Sequence, residues 1–314
     1  MTKNGCSPED MNLLELARIV FQTELDTMKL NLAGCAEGLD PIHLHDLRVA
    51  ERRTRAALSE FRDLLPDTAV QYFREQFRWL HQITNPIRDL DVSISHLSLY
   101  RRKFPFFYYR DLKPALALLR SRRQDALMQL EGIMQSGQVN DILEAWSVLL
   151  EDSLALETAA DLPSGGEYGC RRICDRYRTL REKALVLTPQ SSASEFHSLR
   201  IRVKKLRYQI EFYDLALDKK GISSLLKKLK RFQDILGGYQ DTIVQIEHIH
   251  QLTEDLSEQG AGRQSKEALE RLIPRYHKLV GARKKRSFQQ ACWLVSGQTA
   301  LRFQRIFQCH PPLP

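Results

Sequence analysis

The run His197-Ser198-Leu199-Arg200-Ile201-Arg202-Val203-Lys204-Lys205-Leu206-Arg207-Tyr208-Gln209-Ile210-Glu211-Phe212-Tyr213 decides the fold class. With successive residues about 100° apart, Leu199, Val203, Leu206, Ile210 and Tyr213 share one helix face. His197, Arg200, Lys204 and Arg207 form a narrow stripe on another, and Arg202 and Lys205 add charge at its flanks. Between His197 and Ile210 stand five Lys or Arg and no acid, so no ion pair inside that stretch neutralises the stripe. Like charges three or four residues apart repel by about a few tenths of a kcal/mol per pair. Such a cost points to an anionic ligand: guanidinium forks match phosphate oxygens, lysines add point charges, and a histidine donates through a ring nitrogen.

The same three- and four-residue apolar spacing runs through the chain, as in Leu13, Leu16, Ala17, Val20 and Phe21 and in Leu225, Leu229, Phe232, Ile235 and Leu236. Runs of alternating β-branched residues are missing, and Gly and Pro gather between periodic stretches, at Gly38 to Pro41, Pro163 to Gly166 and Gly260 to Gly262. The pattern predicts an all-α protein with helices near 10–36, 43–64, 68–100, 113–135 and 139–158, then near 168–187, 193–217, 221–257, 265–295 and 299–308, the 265–295 span being open to a break near Pro274.

These helices repeat. A shift of 152 positions (197 − 45) carries His45 onto His197, Leu47 onto Leu199, Arg48 onto Arg200, Arg52 onto Lys204, Arg53 onto Lys205, Arg55 onto Arg207 and Asp89 onto Asp241. After a longer loop around Thr253 to Gly262 the shift becomes 160, carrying Pro114 onto Pro274 and Ser136-Gly137 onto Ser296-Gly297. Two copies of one helical bundle are the economical reading, 10–160 and 168–308, joined through Leu162 to Glu167.

In the first copy His45, Arg48, Arg52 and Arg55 make the stripe, with Leu47, Leu58 and Phe61 opposite and Thr54 between them. More cations follow at helical spacing: Arg74 and Arg78 with His81, then Lys227, Lys228, Lys230 and Arg231. The fourth helix of each copy adds a third group, Arg120, Arg122 and Arg123 against Arg283, Lys284, Lys285 and Arg286. One basic run on an amphipathic helix is ordinarily a solvated face. A repeated His-x-x-Arg-x-x-x-basic-basic-x-Arg pattern in fixed register is not what solvation needs. His81, His96, His248 and His250 are read as ordinary surface or core residues.

At 314 residues and 43% hydrophobic content the chain can bury real cores, and its net charge of +8 favours an anionic partner. The six cysteines, Cys6, Cys35, Cys170, Cys174, Cys292 and Cys309, show no C-x-x-C pair and no regular framework, so reduced thiols are expected. Cys170 and Cys174 share a helix face, and small buried residues are the preferred reading over a metal site. Met1 to Asp10 holds one Lys and no apolar run of signal-peptide length, and no stretch is apolar enough to span a bilayer. A cytoplasmic protein without membrane contact is the expectation.

The segments His45-Asp46-Leu47-Arg48-Val49-Ala50-Glu51-Arg52-Arg53-Thr54-Arg55 and His197 to Tyr208 resemble the two signatures of the CHAD family, the histidine-containing α-helical domain associated with polyphosphate. Arg88-Asp89-Leu90-Asp91-Val92 and Phe232-Gln233-Asp234-Ile235-Leu236-Gly237, followed by Asp241, are similar to the motifs that come next in each half. The resemblance spans roughly Leu14 to Phe307. It implies two four-helix bundles whose basic helices face a shared groove for inorganic polyphosphate, with association with polyphosphate granules as the finer expectation. Carried over by position, phosphate contacts fall on His45, Arg48, Arg52, Arg55, His197, Arg200, Lys204 and Arg207. Glu51 and Thr54 stand where the family usually has apolar residues, Asn85 replaces a usual glycine and Gln240 a usual asparagine. These departures bear on the packing of the first bundle more than on the ligand.

Asp89, Asp91 and Asp241 are read as orienting carboxylates that fix Arg or His side chains, not as catalytic acids. No Gly-rich phosphate loop, zincin pair or nucleophile elbow occurs, and no catalysis, metal or cofactor is expected. Two other functions use the same residues. Nucleic-acid binding would interleave aromatics with the cations, yet Tyr208 alone lies in the second stripe, and Phe104, Phe106, Phe107, Tyr108 and Tyr109 read as packing. A phosphohistidine or metal-dependent phosphatase would use His45 or His197. Reversal of Arg48 and Arg200 to Glu is expected to abolish polyanion binding with little loss of helicity.

Overall fold

The computed structural model describes residues 11–36, 41–103, 111–154, 162–217, 220–258 and 263–309. The aromatic group Phe104 to Tyr109 and the glycines Gly38 and Gly260 to Gly262 lie outside them. In chain order the helices are α1 (Leu13–Ala36), α2 (Pro41–Glu60), α3 (Asp67–Lys103), α4 (Lys113–Gln135), α5 (Gln138–Leu154), α6 (Gly165–Leu185), α7 (Ala193–Leu217), α8 (Ile222–Glu258), α9 (Arg263–Glu270), α10 (Ile273–Val295) and α11 (Gly297–Phe307), with a 3₁₀ turn at Arg62–Leu64. The class is all-α, as the apolar periodicity dictates.

Boundaries follow local chemistry. Pro114 and Pro274 sit in the first turns of α4 and α10, where a missing N–H costs nothing. Gly137 takes φ +81° at the α4–α5 break, a conformation glycine adopts without a Cβ penalty. The expected break near Pro274 lies at Arg271 and Leu272, between α9 and α10. Thr253 to Glu258 belong to α8, in keeping with the helix expected near 221–257 and not with a loop that begins at Thr253. α3 runs through Pro86.

α1 packs on α2 and α5, α2 on α3, and α3 on α4; in the second half α6 packs on α7 and α11, α7 on α8, and α8 on α10. The halves are not separate cores. One apolar cluster runs from Leu13 to Cys309 through both, with Trp146 held between Phe21 (5.2 Å between rings), Phe73 (4.8 Å) and Phe77 (5.7 Å), and Phe303 stacked on Tyr177 at 3.7 Å. α1 and α2 meet α7 across the halves, and Gly165 N–H donates to Met11 O at 2.9 Å. α3 and α8, each 37 residues and so about 55 Å long, bring their far ends to a second cluster of Leu97, Leu116, Leu119, Ile249, Leu252 and Leu269. The halves therefore touch at both ends of the long helices.

The reduced-thiol expectation fails for one pair. Cys174 on α6 and Cys309 after α11 form a disulfide across a sequence separation of 135. The chain returns over α6 only after α11 has docked there, so spacing along the sequence could not show the pair. Cys292 is a free thiol. Among the described residues no helix is long and apolar enough to cross a membrane.

Candidate anion-binding site

α2 buries Leu47, Ala50, Thr54, Ala57 and Leu58, and α7 buries Leu199, Val203, Leu206, Ile210 and Tyr213. Once those faces are committed to the core, the basic faces of the two helices are left beside each other. They wall a depression of about 470 Å³ together with α3 and α6. Six of its cations, Arg52, Arg74, Arg78, Arg200, Lys204 and Lys205, have no carboxylate partner among the described residues. The nearby carboxylates are already engaged. Glu60, buried, accepts from Arg172 (3.2 Å), Arg176 (2.8 Å), Gln209 (2.8 Å) and Tyr213 (3.1 Å). Glu51, also buried, pairs with Arg55 at 3.2 Å and with His81 at 2.9 Å.

Crowding of like charge shows at Lys204. Burial, then Arg52 and Arg200, lower its ammonium to about 7 from the ordinary lysine range, with Glu51 pulling weakly the other way. His45 stays exposed at the end of the row, and its imidazole is lowered by desolvation and then by Arg88 and Arg52. Asp241 is open to solvent on one side, yet desolvation by its surroundings raises its carboxyl above the usual range against the pull of Arg200, His96, Arg283 and Arg88. Residues from α3, α7, α8 and α10 thus share one electrostatic neighbourhood.

Several residues expected to reach a ligand are used inside the fold. Arg48 is only 4% exposed and donates to His81 O (3.1 Å), Thr84 Oγ1 (2.7 Å) and Asn85 Oδ1 (2.9 Å) on α3. Its reversal to Glu would put a second carboxylate into that buried site, which corrects the expectation of unchanged helicity. Arg53 bridges Glu24 of α1 (2.6 Å) and Glu211 of α7. Arg207 also pairs with Glu211 and donates to Gln233 at 2.9 Å; the neutralising acid stands one residue beyond the acid-free stretch. Arg122 pairs with Asp255 and Arg123 with Asp91 (2.5 Å), at the far ends of the long helices.

Lys227, Lys230 and Arg231 are exposed on α8 but do not line the depression. Arg283 donates to Gly238 O at 2.6 Å and to Thr242 Oγ1, and Lys284 lies within electrostatic reach of Glu195 at the start of α7. His197 lines a neighbouring depression with Arg202. Asp89 accepts from Asn85 Nδ2 at 2.6 Å, completing a relay from Arg48 through Asn85. The sequence reading missed Arg172 and Arg176, whose helix carries both signs of charge; it quoted Arg88 in a motif without giving it a site role and read His96 as an ordinary surface or core residue.

The CHAD domain profile matches residues 19–250, well over half of the chain. The protein belongs to the CHAD family. The crystal structure of the CHAD domain from the plant Ricinus communis is similar over 90% of this chain and 93% of that one, with a TM-score of 0.69 and 22% identity. PptA from Streptomyces chartreusis is similar over 90% of this chain and 99% of its own, with a TM-score of 0.64 and 15% identity. At these identities the two structures establish the all-α CHAD fold. No curated protein matches the sequence.

Proposed function

We propose that this CHAD protein binds inorganic polyphosphate in the depression between α2 and α7, without catalysis, as two related helical units presenting one shared basic surface. The observation that carries the reading is Lys204: a half-buried ammonium set between Arg52 and Arg200, with no bonded carboxylate. A site kept this unfavourable in the free protein is relieved by a flexible chain of phosphates, each supplying the missing negative charge. The family adds to this reading, and polyphosphate granules are where such a protein would gather.

A labelled long-chain polyphosphate titrated at rising salt tests it. Log affinity should fall with log salt at about 0.7 per neutralised phosphate, so engagement of the six open cations gives a slope of about four. Absence of binding, or binding indifferent to salt, overturns the reading. Polyphosphate recovered afterwards should keep its length; shortening would make the protein an enzyme. RNA should compete poorly at equal phosphate, because Tyr208 is buried with Arg207 (4.7 Å), Arg53 (5.4 Å) and Lys204 (5.6 Å) over its ring, which leaves no free face for a base.

A further inference from the structure

We propose that the anion track does not end at the α2–α7 depression but crosses Ile201, Lys205 and Arg176 into a second depression between α6 and α7, where a long phosphate chain continues. This inference rests on the polyphosphate reading of the first depression and extends it over the outer face of the second half. The three named residues line both depressions, so the two are neighbours that share a wall. The second measures about 490 Å³, as large as the first.

Its chemistry suits phosphate. Arg202 and Lys205 have no carboxylate partner among the described residues. Arg172 and Arg176 share the single carboxylate of Glu60, two cations against one anion. Asp175, the acid on the wall, is engaged with Arg178 at 2.9 Å. His197 has Nδ1 buried without a partner, and its ring lines the depression, where an imidazole N–H can donate to a ligand. Ser194, Ser198 and Thr179 add hydroxyl donors around the rim. Ile201, 40% exposed at the shared wall, lets a chain pass without meeting a fixed polar group.

The matching position in the first half is not equivalent. His45 is exposed, with Arg88 and Arg52 as its nearest charged influences after desolvation, and lines neither depression, whereas His197 opens onto α6. The track is therefore one-sided despite the paired motifs.

Chain length separates the two depressions. Tripolyphosphate and a long-chain polyphosphate are titrated against the full chain, its Arg202→Glu variant and its His197→Ala variant, with circular dichroism to confirm the fold. Arg202 and His197 line only the second depression. Arg202→Glu should weaken the long chain about tenfold and lower its salt slope by at least about 0.7, while tripolyphosphate affinity stays within about twofold; His197→Ala should act in the same direction and less. Unchanged long-chain affinity in Arg202→Glu overturns the extended track, as does an equal loss for both ligands. Failure of the unaltered protein to bind either ligand removes the underlying reading instead. If a variant misfolds, Ile201→Lys on the exposed wall serves: a gain for the long chain above that for tripolyphosphate supports the track, and equal gains oppose it.

Discussion

Arg48 and Arg200 hold the same place in two motifs 152 residues apart, yet the fold uses them differently. Arg48 is clasped by Thr84 and Asn85 on α3. Arg200 meets α8 at Gly237, the shifted equivalent of Asn85, which carries no side-chain acceptor; the Nε of both arginines is buried with no partner. The neighbours decide the outcome. A side-chain acceptor in the first half turns the arginine into a tie between helices, and a glycine in the second offers no such acceptor. A second difference stands one turn on: the position of Arg52 is taken in the second half by Lys204, whose ammonium burial and the neighbouring arginines lower to about 7.

The largest test of this contrast is Arg48→Ala against Arg200→Ala. Loss of Arg48 strands the groups it bonds on α3 and should cost about 3 kcal/mol of stability, read from denaturant unfolding. Arg200→Ala should stay within about 1 kcal/mol of the unaltered protein while lowering polyphosphate affinity at least about tenfold. Equal destabilisation by the two would erase the distinction between tie and ligand arm.

A smaller effect distinguishes Lys204 from Arg52 through pH. The folded ammonium titrates near 7 and the unfolded one at about 10.4, so the unfolded chain holds more protons in between. Stability therefore rises with pH from about 7 to about 10.4 on account of this group and is lowest below that window. Lys204→Met should remove that contribution, seen as flatter urea midpoints between pH 6.5 and 9.5, and Lys204→Arg should remove the titration while keeping the ligand. Matching pH profiles in all three would show that Lys204 is not crowded.

The smallest effect comes from making the second half resemble the first. At Gly237 an added Cβ would lie 3.5 Å from Arg200 Nε, ordinary contact, so Gly237→Asn should be accommodated. Replacing a mid-helix glycine should stabilise by about 0.5 kcal/mol, and the new amide, bonding Arg200 as Asn85 bonds Arg48, should weaken polyphosphate a few-fold. A gain in affinity would mean that Arg200 benefits from being held.

Legibility differed between fold and site. Helix positions were readable because burial of one face imposes a 3.6-residue period on every amphipathic segment, and the break at Pro274 because proline lacks an N–H. Among the residues that line the α2–α7 depression, Arg52, Arg200, Lys204 and Lys205 were readable because their stripe lies off the core face, although the same reasoning misplaced Arg48, which is buried against α3. Arg53 and Arg207 were not: their partner Glu211 sits at the edge of the second motif, and the meeting of α2 with α7 that brings Arg53 to it belongs to no local pattern. Nor was Glu60, whose network with Arg172 and Arg176 joins residues more than a hundred positions apart.

The sequence by itself determined that this chain is helical, that a basic His-x-x-Arg run begins at His45 and again at His197, and that it holds more positive charge than its own acids neutralise. Tertiary structure alone decided which cations remain open, because an ion pair forms where two helices meet, and that meeting depends on how whole apolar faces pack. It also decided the Cys174–Cys309 bond, made only once α11 lies against α6.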